Sequence, residues 1–92
     1  MSIAEAVKYT NGTTSQAIRS VPGTFYGVIV NSNTAGTFKI WDNTSATGNV
    51  ILNTFTPTTG TSTKIDLPIG VSFNTGLFIT VTGTIDYTVL WY

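Results

Sequence analysis

The clearest pattern along the chain is alternation with a period of two. From Thr84 to Tyr92, Ile85, Tyr87, Val89 and Trp91 oppose Thr84, Asp86, Thr88, Leu90 and Tyr92. Successive side chains of a strand point to opposite faces, so this segment reads as a strand with one apolar face. Gly76–Thr82 behaves likewise, with Leu77, Ile79 and Val81 on one face and Phe78, Thr80 and Thr82 on the other. Gly83 between them reads as the turn of a C-terminal hairpin. Thr37–Asp42 also alternates: Phe38 and Ile40 form the expected core face, leaving Trp41 to point away beside Lys39 and Thr37. Phe25–Asn31 is instead a nearly continuous apolar run, fitting a strand buried on both faces. Ser32–Gly36, between these two segments, reads as a hairpin loop.

The remaining elements are shorter. In Asn49–Thr56, Val50 and Leu52 are expected on one face, with Ile51 and Phe55 on the other. Pro57–Thr63 is the longest polar loop. Ile65 and Leu67 point inward from the next strand, Pro68-Ile69-Gly70 bends the chain, and Val71–Phe73 is a short strand. Toward the N-terminus, Ala4–Tyr9 fits a short strand or a helical turn. Asn11-Gly12 has the residues of a type I′ turn. Thr14–Val21 fits a short edge strand that Pro22-Gly23 would end. Asp42–Gly48 reads as a polar turn closed by its own side chains. The expected fold is all-β: an antiparallel β-sandwich, jelly-roll-like or immunoglobulin-like, of seven to eight strands in two packed sheets. One domain covers 1–92, with 1–23 as an N-terminal arm or edge hairpin.

Composition reinforces the β reading. Thr occupies 19 of 92 positions, and Ile and Val add 17. These β-branched side chains suit a pleated surface and are poor in helices. Four Lys/Arg balance four Asp/Glu, and only 9% of residues are charged. Solubility then rests on hydroxyls and amides. A neutral surface favours self-association, and a domain this small without disulfides gains from it, so a homo-oligomer is expected.

The same counts remove several kinds of chemistry. The sequence has no His and no Cys. Ser-His-Asp and Cys-His catalysis, disulfides and Cys/His zinc sites are therefore excluded. Glu5, Asp42, Asp66 and Asp86 are the carboxylates, and no local motif presents two of them together as an acid/base pair. Asp42-Asn43 could join a calcium site with loop carbonyls, but the D-x-D-x-D density of a dedicated loop is missing, and a side-chain-closed turn is the simpler expectation. Catalysis and cofactors are not expected. Four scattered cations give no footprint for nucleic acid. No apolar run approaches the ~18 residues of a membrane helix, and Met1–Thr10 lacks a signal-peptide pattern. Two glycosylation sequons, at Asn11 and Asn43, read as turns. The repeated Thr-x-Thr pairs show no fixed period that would make an ice-binding ladder.

Aromatic residues are the remaining candidates for contact. Tyr26, Trp41, Phe55 and Phe78 fall on faces opposite the more regular apolar set. Phe55 and Phe78 are expected to pack in the core or along an edge. Trp41 suits either an interface or simple cover of the sheet, because aromatics bury much area at low entropic cost. The candidate interface set is Tyr26, Lys39, Trp41, Phe55, Phe78, Trp91 and Tyr92.

Val28-Ile-Val-Asn-Ser32, Gly36-Thr-Phe-Lys-Ile-Trp-Asp-Asn-Thr-Ser45, Gly76-Leu-Phe-Ile-Thr-Val-Thr-Gly83 and Tyr87-Thr-Val-Leu-Trp-Tyr92 together carry a resemblance. The chain resembles small structural proteins of tailed bacteriophages over residues 24–92, with Trp41 where that pattern would have Tyr. These are strand-and-turn motifs, more specific for fold than for function. The resemblance implies a β-sandwich in the virion, either cement on the capsid exterior or a part of the neck or tail. Its partners would be the major capsid protein or other virion proteins. The chain would act as a homo-oligomer, with a trimer the expected form, on virions assembled in the bacterial cytoplasm. It carries no family binding residues over. The rival expectation is a tail or fibre module binding host-surface carbohydrate through Tyr26 and Trp41.

Overall fold

The fold is that of a computed structural model, which describes residues 7–60 and 62–92. Ala4–Ala6 of the ambiguous N-terminal segment, and Glu5 with them, lie outside the described residues. The described chain is all-β and antiparallel, with no helix. Six strands follow in order: β1 (Lys8–Gly12), β2 (Gln16–Arg19), β3 (Gly23–Asp42), β4 (Asn49–Phe55), β5 (Thr63–Phe73) and β6 (Leu77–Trp91).

β3 and β6 organise the rest. They pair with each other from Phe25↔Trp91 to Trp41↔Phe78. The N-terminal half of β3 also takes β5, and its C-terminal half takes β4. β6 takes β2 at its start and β1 at its end. Each half of the long pair is thus four strands wide: β1-β6-β3-β5 in one and β2-β6-β3-β4 in the other. Twenty residues at about 3.3 Å each would reach about 66 Å if straight, but the longest dimension of the molecule is 38 Å. β3 must therefore bend, and it brings Phe25 and Asp42, near its two ends, to one cleft.

The bend is where the sequence expectations need correction. Ser32–Gly36 is not a hairpin loop but continuous β3 strand, and Gly83 is not a hairpin turn but lies within β6. Each strand carries polar or glycine residues there, yet each finds the other as partner, through Ser32↔Asp86, Asn33↔Ile85 and Thr34↔Thr84. The bend is made by bulges. β3 has one extra residue at Tyr26, one at Asn31 and one between Thr34 and Thr37. Each extra residue reverses which side chains face inward. Buried positions on β3 accordingly run Phe25, then Val28 and Val30, then Asn33, then Phe38 and Ile40. β6 keeps one phase throughout, with Leu77, Ile79, Ile85, Tyr87 and Val89 buried. This explains the apolar run of Phe25–Asn31: a bulge at Tyr26 shifts the phase inside it.

Gly83 sits at φ +70°, and a β-carbon there would come within 2.3 Å of the Ala35 carbonyl oxygen, so the bend admits no side chain at this point. Across from it, Ala35 has φ 54°, the one non-glycine residue at positive φ among the described residues. Asn33 fills the inside of the bend at 3% exposure. Its Nδ2 donates to the Pro57 carbonyl (2.8 Å) and its Oδ1 accepts from the Gly36 N–H (2.7 Å). Its own carbonyl accepts from the Gly60 N–H (3.0 Å), which pins the β4–β5 loop onto the bend.

Other expectations shift for similar reasons. Asn11 and Gly12 lie in β1 and neither has positive φ, so they are not a type I′ turn. The 1–23 region does not form a hairpin with itself: β1 and β2 each pair with β6. β4 carries extra residues between Val50 and Leu52 and between Leu52 and Phe55. Leu52 and Phe55 therefore pair with the core residues Ile40 and Phe38, and Ile51 also packs against the core. The simple two-face assignment for this strand fails on those bulges. Lys64–Leu67 and Val71–Phe73 join as one strand, β5, with Leu67–Gly70 pushed out of register between Asp66 and Val71.

Candidate functional site

The sequence candidates fall in four places. Lys39, Trp41 and Phe78 come together on the outer face of one half, where Trp41 is directly opposite Phe78. Trp41 is partly buried, its Nε1 donates to Thr80 Oγ1 (3.1 Å), and the Lys39 ammonium lies 4.3 Å from the ring centre. Thr37 and Thr82 continue that face with a hydroxyl pair at 2.5 Å. Phe55 is partly buried against the core, 5.5 Å from Phe38 at a tilted 51°. Tyr26 is partly buried and its ring lies against Gly70. Trp91 and Tyr92 are at the end of β6. The Trp91 Nε1 donates to Thr10 Oγ1 (2.9 Å), and the Arg19 guanidinium lies 5.3 Å from its ring centre. Lys8 is 5.6 Å from the Tyr92 ring. The seven residues do not make one surface.

Three of the four cations thus rest on aromatic rings, where the ring quadrupole attracts them. Two of the acids, Asp42 and Asp86, are also engaged. Asp42, at the end of β3, accepts N–H hydrogen bonds from Asn74 (3.0 Å), Thr75 (2.9 Å) and Gly76 (3.5 Å). Burial pushes its pKa up, but these three backbone donors outweigh burial and hold it below the ordinary value of 3.8. A carboxylate held by three amides is a structural latch on the β5–β6 turn. Asn43 closes the neighbouring turn as expected, donating to the Thr47 carbonyl (2.7 Å) and accepting from the Thr44 N–H (2.7 Å). Asp86 accepts from Asn31 (3.4 Å).

What the sequence reading missed is a cleft and a knob. An open cleft of about 380 Å³ lies between β4 and β5. Its apolar lining includes Phe25, Val50, Leu52, Ile65, Leu67 and Val71, and its charged lining residue is Asp42. The cleft exists because both strands pair with the same edge of β3 on either side of its bend. Beside it, Ile69 is 93% exposed. Leu67–Gly70 bulges away from β3, Pro68 stiffens it, and Gly70 at φ +85° packs where a β-carbon would strike Thr24 and Tyr26. The sequence signal was an Ile between Pro and Gly: a bend residue with no strand neighbour to cover it. No protein family, no curated protein and no solved structure matches the chain.

Proposed function

We propose that the chain is a non-enzymatic structural protein of a tailed-bacteriophage virion, a capsid cement or decoration protein that bridges capsid subunits. In this reading the bent sheet works as a β-sandwich, its two four-stranded halves packed on one another. The observation that carries the reading is the strand-and-turn pattern of residues 24–92. Its segments fall largely on β3, β6 and the turns beside them, the parts that build the fold.

The disposition of charge supports it. Lys8, Arg19 and Lys39 lie over rings and Asp42 is held by backbone amides, so much of the surface chemistry is left to hydroxyls, amides and apolar groups. Such a surface suits contacts that depend weakly on salt and that add up over many repeated sites on a lattice. A homo-oligomer and the major capsid protein are the partners this reading requires. A carbohydrate-binding tail module would need an open ring to stack on a sugar. Of the two rings that alternative names, Trp41 has Lys39 lying across it and Tyr26 is packed on Gly70.

The test is the protein composition of purified native virions. Copies comparable in number to the capsid subunits are the expected result, and absence from the virion would overturn the proposal.

A further inference from the structure

We propose that the β4–β5 cleft is a binding site for a small organic amine, an ammonium group carried on a compact apolar body. The walls suit the body. They include Phe25, Leu52, Ile65 and Leu67, together with Val50 and Val71, which are 37% and 39% exposed. Those two leave apolar area in water that a bound apolar group would cover. The volume of about 380 Å³ lies within the range of small-molecule sites, about 300–1,000 Å³. The polar lining is Asp42, Asn49 and Ser72. These three are grouped rather than scattered. Asp42 pairs with Asn49 across β3 and β4, and Ser72 precedes by two residues the Asn74 whose N–H Asp42 accepts. An apolar pocket with a few polar groups gathered together suits a ligand with one polar head.

Charge selects the head. Among the described residues, Asp42 is the charged group of the lining and no cation lines the cleft with it. Lys8, Arg19 and Lys39 lie over Tyr92, Trp91 and Trp41 instead, and Lys64 adjoins the lining residue Ile65, so alternation along β5 puts it on the opposite face. The two oxygens of Asp42 are unequally used. Oδ1 accepts from Asn74 (3.0 Å), Thr75 (2.9 Å) and Gly76 (3.5 Å), whereas Oδ2 accepts from Asn74 alone (3.0 Å). A carboxylate has about four lone-pair sites, so acceptor capacity remains on Oδ2. A guanidinium fork engages both oxygens of a carboxylate, but an ammonium is a point charge that needs one. It also brings three N–H donors, for which Asn49 Oδ1 and Ser72 Oγ are further acceptors in the lining. Apolar walls focus the field of an unpaired carboxylate and draw its counterion in. A lysine side chain carries the same head on a bare four-carbon stem. A branched or aromatic body covers more of the walls, which commits the site to a free amine. The inference goes beyond the virion reading and does not rest on it.

The experiment is titration of the isotope-labelled full chain with phenethylammonium, followed through its amide chemical shifts. Phenethyl alcohol, hydrocinnamate and phenethylguanidinium carry the same body on other heads. Phenethylammonium is expected to saturate one site with a dissociation constant of about 1 mM or below, and its shifts should centre on β4, β5 and the turn at Asn74–Gly76. The alcohol and the guanidinium should bind about tenfold more weakly, and hydrocinnamate not measurably. Asp42→Asn should weaken the amine about tenfold while leaving the alcohol unchanged, a split that a folding defect would not give because it would weaken both. Val71→Ser, at a part-exposed wall position, should weaken amine and alcohol alike. No saturable shifts, equal affinity for amine and alcohol, or an Asp42→Asn variant that binds the amine as wild type does would overturn the inference. Tighter binding of Nα-acetyl-lysine amide than of phenethylammonium would overturn the assignment to a free amine. Binding is read without reference to virions, so its failure would leave the virion reading standing.

Discussion

At Asp42, one carboxylate joins the end of β3 to the turn before β6, through N–H donors on Asn74, Thr75 and Gly76. These N–H donors favour the ionised form, so its folded pKa is depressed. The stabilisation is then fully present above the unfolded value and is lost as pH falls through the folded one. Asp42→Asn should cost about 1 kcal/mol at neutral pH, at the low end for charged hydrogen bonds because the site is only partly buried. The difference from wild type should shrink as pH falls below about 4, read from thermal melts at several pH values. Tyr87 works in the opposite sense. Its buried ring carries a hydroxyl that donates to the Thr14 carbonyl (2.5 Å) and accepts from Gln16 Nε2 (2.8 Å). Burial raises its pKa, and the Gln16 bond offsets this only in part. A raised folded value gives stability that is complete below the unfolded pKa near 10 and is lost above it. Tyr87→Phe should destabilise by about 1–2 kcal/mol near neutrality and should remove that alkaline loss. A variant that still lost the same stability above pH 10 would place the titration elsewhere.

Among the elements, the bend shared by β3 and β6 matters most. Asn33 satisfies the Gly36 N–H and the Pro57 carbonyl from a buried position. Asn33→Ala would strand both, at a cost of about 1–3 kcal/mol for each group left without a partner. Urea titration should show a lower midpoint of unfolding. Asn33→Asp should be no better, since it keeps an acceptor for Gly36 but turns a carboxylate toward the Pro57 carbonyl. Ala35 opposite Gly83 adopts φ 54°, where a β-carbon costs roughly 1–2 kcal/mol. Ala35→Gly relieves this and gives back part of it as unfolded-chain entropy. The net result should be neutral to stabilising by up to about 1 kcal/mol, a direction opposite to that of most glycine substitutions within strands.

Over the described residues, the first and last strands pair, Lys8 with Trp91, and Phe25 also pairs with Trp91. Nearly all pairing in the fold is therefore between residues distant in sequence. Loop-closure entropy must be met before such contacts form, so folding is expected in milliseconds to seconds rather than microseconds. Stopped-flow refolding would check this, and a microsecond phase carrying the full amplitude would contradict it. The sheet's free edges are also managed at this scale. β1 carries Lys8, β2 is short and carries Arg19, β5 carries Lys64, Asp66 and Pro68, and β4 is bulged twice. Such edges discourage open-ended strand addition.

Alternation is a local property, and the residues that depend on it alone were legible in the chain. Phe38, Ile40, Leu77, Ile79, Ile85, Tyr87 and Val89 are buried where a period of two puts them, and Trp41 faces out beside Lys39. The all-β class follows from the same pattern and from the Thr, Ile and Val content. Whether a polar stretch turns or continues is not local. Ser32–Gly36 carries the residues of a loop, and Gly83 those of a turn, but each has a strand to pair with, supplied by the other. Bulges depend on that partner too, because an extra residue is defined only against the strand opposite. Every wrong face assignment, in β4 above all, came from a bulge. The cleft, the knob at Ile69 and the Asp42 latch arise where segments far apart in sequence are brought together by the bend, which no window of neighbouring residues contains.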